Sequence, residues 1–146
     1  MSTRLSLLAA LVLVVGFAPA PLPRARRGPE PDDLQKMQGT WVVVKYELNK
    51  ADILARYSQE IRFTFRGKRM TCSLNDDVRS TWDVELSPGS SPRAITETEA
   101  SKSLVMRGIY RFEGDRLVIC HDSGQGARPT EFDSEGSRYL IVLRRR

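Results

Sequence analysis

The chain has few of the residues that build reactive centres. One histidine and two cysteines stand among 146 residues, and His121, Cys72 and Cys120 show none of the close spacings by which zinc sites are recognised. That argues against a metal centre, and no cofactor is indicated. Asp122 and Ser123 follow His121 directly, but neighbours on a strand point to opposite faces, so the three cannot form a nucleophile relay. No motif sets a nucleophile beside a base, and the chain does not read as an enzyme. His121 reads as a polar rim residue at a strand end.

Long hydrophobic runs are missing as well. The longest, Leu5 to Phe17, falls short of the roughly 20 residues a membrane-spanning helix needs. With Arg4 ahead of it and Ala18-Pro19-Ala20 behind it, it reads as an export signal over residues 1–20 that sends the protein to the periplasm or outside the cell. Pro21 makes a poor residue after a cut at Ala20, so a cut after Gly16 is the alternative, and Arg24, Arg26 and Arg27 work against translocation. No cysteine lies near the cleavage region to carry a lipid anchor. Residues 21–33 are rich in proline and charge and read as a disordered tether. The folded domain is expected over 34–146, and roughly 110 residues are enough for one core without metals or disulfides.

Charge of one sign is not concentrated either. The 23 basic and 18 acidic residues leave a net charge of +5, but only "RARR" and the terminal "RRR" form basic clusters. Interleaved charge of this kind argues against nucleic acid as a partner. It leaves room for weak, salt-sensitive attraction to an acidic envelope surface, with the oligomeric state open.

After Leu34 helical periodicity is almost absent, whereas alternation with period two recurs. Ile61, Phe63 and Phe65 alternate with polar residues, Gly67-Lys68 turns the chain, and Met70, Cys72 and Leu74 continue on one face. Trp82, Val84 and Leu86 define the next strand, "RAITET" a weak one, and Leu104 to Phe112 another with Tyr110 inward. Glu113-Gly114-Asp115 is a hairpin signal, "RLVIC" returns with Leu117 and Ile119 inward, and "RYLIVL" closes the series. With Trp41–Leu48 first, eight sequential strands result. Ile53, Leu54 and Tyr57 predict one short helix after the first strand. Eight antiparallel strands with one wet face each predict an all-β up-and-down barrel, because closure removes exposed edges.

Alternation places Cys72 inward and Cys120 outward, which argues against a disulfide. "RPTEF" reads as a proline turn in which Arg128 and Glu131 orient the loop before the last strand, with Phe132 as a plug. Phe63, Phe65, Trp82, Tyr110 and Tyr139 are the inward aromatics and the candidate ligand-binding residues. The same rings would equally fill a core.

"DDLQKMQGTW", "FTFRGKRM", "GIYRFEGDRLVIC", "RPTEF" and "YLIVLRR" together resemble the lipocalin-like domain of small exported proteins of planctomycete-type bacteria, over Asp33 to the C terminus. The family supplies an architecture and no reaction. Gly39-Thr40-Trp41 resembles the Gly-x-Trp signature of lipocalins, in which the indole closes the barrel floor and an arginine of the last strand lies over it. That resemblance assigns Gly39 and Trp41 to barrel closure, with Arg144 or Arg145 as the arginine. Two positions depart from the family. Glu97 falls where the family tends to be apolar, implying an open wall there, and Val42 stands where an exposed lysine is usual.

Two functional readings remain open from the sequence. One is an exported lipocalin-like module holding a small apolar ligand in its barrel. The other is a filled barrel that acts as an envelope interaction or structural module. An eight-stranded barrel is wide enough for either, and a cavity above about 300 Å³ would favour the first.

Overall fold

A computed structural model describes residues 32–122 and 126–146. The expected export signal, the tether up to residue 31, and residues 123–125 lie outside the described residues.

A short helix, α1 (Asp33–Met37), leads into β1 (Gly39–Leu48), the two-residue β2 (Ala51–Asp52) and a 3-10 turn at Leu54–Arg56. There follow β3 (Ile61–Arg66), β4 (Arg69–Leu74), β5 (Asp77–Ser87), β6 (Ala94–Glu99), β7 (Val105–Glu113), β8 (Arg116–Asp122) and β9 (Arg138–Arg145). Each long strand pairs antiparallel with the next, and β9 returns to pair with β1. The result is a closed, eight-stranded, antiparallel up-and-down barrel, with β2 folded back on the end of β1. The helix expected after the first strand is the single 3-10 turn, and Ile53 before it is buried.

Tight turns set the registers. Gly67-Lys68, Asn75-Asp76 and Gly114-Asp115 each join strands paired up to the residues flanking the turn. The hydrophobic alternation then points inward as a set: Phe65, Met70, Val84, Ile95, Tyr110, Leu117, Ile119 and Leu143 all belong to one interior cluster.

A β-bulge in β1 changes which residues of that strand face in. Trp41 and Val43 are inward, but the register with β9 shifts between Val43 and Lys45. The extra residue, Val44, is left exposed. Strict alternation would have turned Lys45 inward; the bulge turns Tyr46 inward instead, against the interior cluster.

One end of the barrel is sealed by α1. Its N-cap Asp32 accepts the Gln35 N–H at 2.7 Å. Asp33, placed in the tether by the sequence reading, is buried at the first helical position; its carboxylate accepts the Tyr110 hydroxyl at 2.7 Å and Arg93 Nη1 at 3.1 Å. Met37 is fully buried, and its carbonyl accepts Trp41 Nε1–H at 2.7 Å.

The arginine over the Trp41 ring is Arg145, with its guanidinium carbon 4.3 Å from the ring centroid. Its Nη1 and Nη2 donate to the carbonyls of Gln38 and Lys36, so one side chain covers the indole and serves carbonyls that the end of α1 leaves open. Arg144, the other candidate, is exposed and aligned with the outward Val42. The physical reason is parity: Trp41 is aligned with Arg145, and Ile141, Leu143 and Arg145 share one face. Gly39 is required here twice over. Its φ of +106° lies where side chains are strained, and a Cβ would meet Arg145 Nη1 at 3.2 Å.

The outer face of β6 to β8 is also dry. Ala94, Ile109, Val118 and Cys120 are buried outside the barrel interior. Segment 126–137 lies across that side, with the Cys120 thiol 3.1 Å from the Asp133 carbonyl it donates to. Arg128 fastens the segment by donating to the carbonyls of Ile95 and Gly108 and to Thr96. Arg128 therefore orients the loop, as its place in "RPTEF" suggests. Phe132 plugs no opening of the barrel; its ring lies outside, 4.2 Å below the Arg111 guanidinium.

Candidate ligand cavity

The barrel is filled at its α1 end and hollow at the other. Phe65 and Tyr110 are each 1% exposed. They lie in the packed floor, Phe65 aligned with Gly39 and Tyr110 bonded to Asp33. Neither lines the cavity, which corrects their placement among the ligand-facing rings. Phe63, Trp82 and Tyr139 do line it, on β3, β5 and β9.

The cavity has a volume of about 400 Å³ and opens between the ends of β1, β6 and β8 and the starts of β5, β7 and β9. A side chamber of about 270 Å³ shares Tyr46, Phe63, Cys72, Arg79 and Ile141 with it and reaches Tyr57. A cleft of similar size, about 410 Å³, runs beside α1 on the outside of the floor. That cleft has no buried, unpartnered polar atom on its wall, whereas the barrel cavity has two.

Those two atoms are Glu97 Oε1 and His121 Nδ1. Among the described residues they are the buried side-chain polar atoms without a hydrogen-bond partner. Glu97 is 3% and His121 6% exposed. Glu97 Oε2 stands 3.6 Å from His121 Nδ1, too far for a hydrogen bond. Burial raises the Glu97 carboxyl to about 7 and lowers the His121 imidazole to about 4. Both shifts favour the neutral forms, so the contact is not a formed ion pair at neutral pH.

His121 is thus an interior residue and not a rim residue. Leu117, Ile119 and His121 alternate inward along β8, and His121 packs edge-on to Tyr139 with ring centroids 5.5 Å apart. Glu97 likewise occupies an inward position between Ile95 and Glu99, in a wall closed on both sides by pairing to β5 and β7. The opening that its departure from the family pattern implied is absent.

The mouth is lined by aromatic rings in sequence. Tyr57 stacks on Tyr46 at 6.1 Å, Tyr46 meets Tyr139 at 5.5 Å, and Tyr139 meets His121. At the rim, Glu99 is bridged by Lys102 Nζ at 3.5 Å. Cys72 lines the cavity, its thiol raised to about 11 mainly by burial and next by the Glu97 charge, so it is no activated nucleophile. Both cysteines are free. Among the described residues no group of three or more His, Cys, Asp or Glu is placed to hold a metal ion.

No protein-family model, curated protein or solved structure matches this chain.

Proposed function

We propose that this protein is an exported, lipocalin-like module that binds a small, largely apolar ligand in the open half of its barrel, without catalysing a reaction. The observation that carries the reading is the cavity of about 400 Å³, within the range of small-molecule sites. Its walls supply what such a site needs: apolar and aromatic surface from Phe63, Trp82, Met106, Tyr139 and Ile141, and a small number of polar groups to orient a ligand. Export is supported by Arg4, the apolar run Leu5 to Phe17 and the Ala18-Pro19-Ala20 site, and attraction to an acidic envelope by the net charge of +5.

The competing account, a filled barrel acting through its surface, describes only the α1 half, where Trp41, Phe65, Tyr110 and Leu143 leave no space. Titration with the neutral dye N-phenyl-1-naphthylamine separates the two. Saturable fluorescence enhancement that disappears in Met106→Trp, a variant that fills the cavity, is the expected result. No saturable enhancement with the native fold intact, or enhancement unaffected by Met106→Trp, would return the weight to the surface-interaction account.

A further inference from the structure

Two acceptor-capable groups that lack partners, on β6 and β8, face one aromatic-walled space. Resting on the binding reading above, we propose that the ligand is a small primary amine with an apolar tail, its ammonium seated between Glu97 and His121 and its tail against the aromatic walls.

The donor count favours this chemistry. An ammonium carries three donors and no acceptor, and it meets a carboxylate oxygen, Glu97 Oε1, and the Nδ1 lone pair of a neutral imidazole whose proton sits on Nε2. A neutral alcohol brings one donor to the same two acceptors. A ligand carboxylate would stand against Glu97 and, at the rim, Glu99. The rings of Phe63, Trp82 and Tyr139 line the same cavity and supply apolar wall for the tail.

The protein's own cations do not fill the role. Lys102 is engaged with Glu99, its side chain 73% exposed. Arg79 lies exposed at the mouth, and Glu97 Oε1 has no hydrogen-bond partner from either. Of the other titratable groups on the wall, Cys72 and Tyr46 are held uncharged at neutral pH by burial, and Tyr139 is a second phenol. An ammonium bound here favours ionised Glu97, whose midpoint is about 7. Amine affinity therefore rises as pH increases through that value.

Calorimetric titration of the whole protein with hexylamine, hexan-1-ol and hexanoate tests this. At pH 8 hexylamine should bind about tenfold or more tightly than hexan-1-ol, the scale of a charge-assisted hydrogen bond. That preference should shrink at pH 6 and vanish in Glu97→Gln, whose fold is checked by circular dichroism. Hexan-1-ol binding as tightly as hexylamine, or hexanoate binding best, overturns the amine assignment while leaving the binding reading intact. Absence of binding by all three overturns both. The wild-type ranking stands as a test even if Glu97→Gln does not fold.

Discussion

His121 Nδ1 stands 3.6 Å from Glu97 Oε2 across the inside of the barrel, on β8 and β6, strands separated by β7. His121 Nδ1 and the other carboxylate oxygen, Glu97 Oε1, are buried without a hydrogen-bond partner, so the pair makes the cavity wall polar at one place and burdens the fold with two desolvated ionisable groups.

The burden has opposite pH dependence for the two. His121 ionises near 6.5 in the unfolded chain and near 4 when folded, so its burial costs stability as pH falls from about 6.5 towards 4. Glu97 ionises near 4.5 unfolded and about 7 folded, so its burial costs stability as pH rises from about 4.5 to 7. Glu97→Gln removes the second slope. Relative to wild type, the variant should gain up to about 3 kcal/mol between pH 4.5 and pH 8, at about 1.4 kcal/mol per pH unit. Urea melts at both pH values measure it; a gap that stays constant or narrows would mean Glu97 is solvated or already paired.

The floor predicts a contrast between adjacent arginines. Arg145→Ala loses the contact over Trp41 and two carbonyl bonds at the end of α1, and should cost about 1–3 kcal/mol. Arg144→Ala should stay within about 0.5 kcal/mol, as for exposed sites without special partners. Equal costs in denaturant melts would contradict the parity assigned to β9.

Removing the indole is more severe. Trp41 is 2% exposed, and Trp41→Ala should cost about 3–5 kcal/mol. A loss under about 1 kcal/mol would place the ring outside the core.

The fold's legibility in the sequence varies by element. Parity alone located the inward faces of β3, β4, β7 and the part of β5 beyond its register shift at Arg79, because the alternation there is uninterrupted. Parity also places His121 inward, two residues beyond Ile119, whereas its position at a strand end reads from the sequence as a rim. Tyr46 was out of reach, since the bulge at Val44 reverses the facing of β1 and no residue type announces it. Helix α1, five residues long, is too short to show a period, and its stability comes from tertiary bonds to Tyr110, Arg93 and Arg145. The outward burial of Ile109 and Cys120 depends on a later segment, 126–137, lying over them.

The thiols follow from the same facing. Cys72 lines the cavity and Cys120 lies on the outer side under Asp133. A thiol assay in denaturant without reductant should return two free thiols per chain. A value of zero with monomeric mass would require the two strand faces to meet.

The central claim, a hollow open half above a filled floor, can be read from two signals. The protein has two tryptophans; Trp82 Nε1–H donates to Ser80 Oγ at 2.8 Å beside the cavity, and Trp41 Nε1–H donates to Met37 O in the floor. In ¹H–¹⁵N spectra of uniformly labelled protein titrated with hexan-1-ol, one indole signal, that of Trp82, should move saturably while the other stays fixed. Two stationary signals, or movement of the Trp41 signal with Trp82 unchanged, would contradict the account.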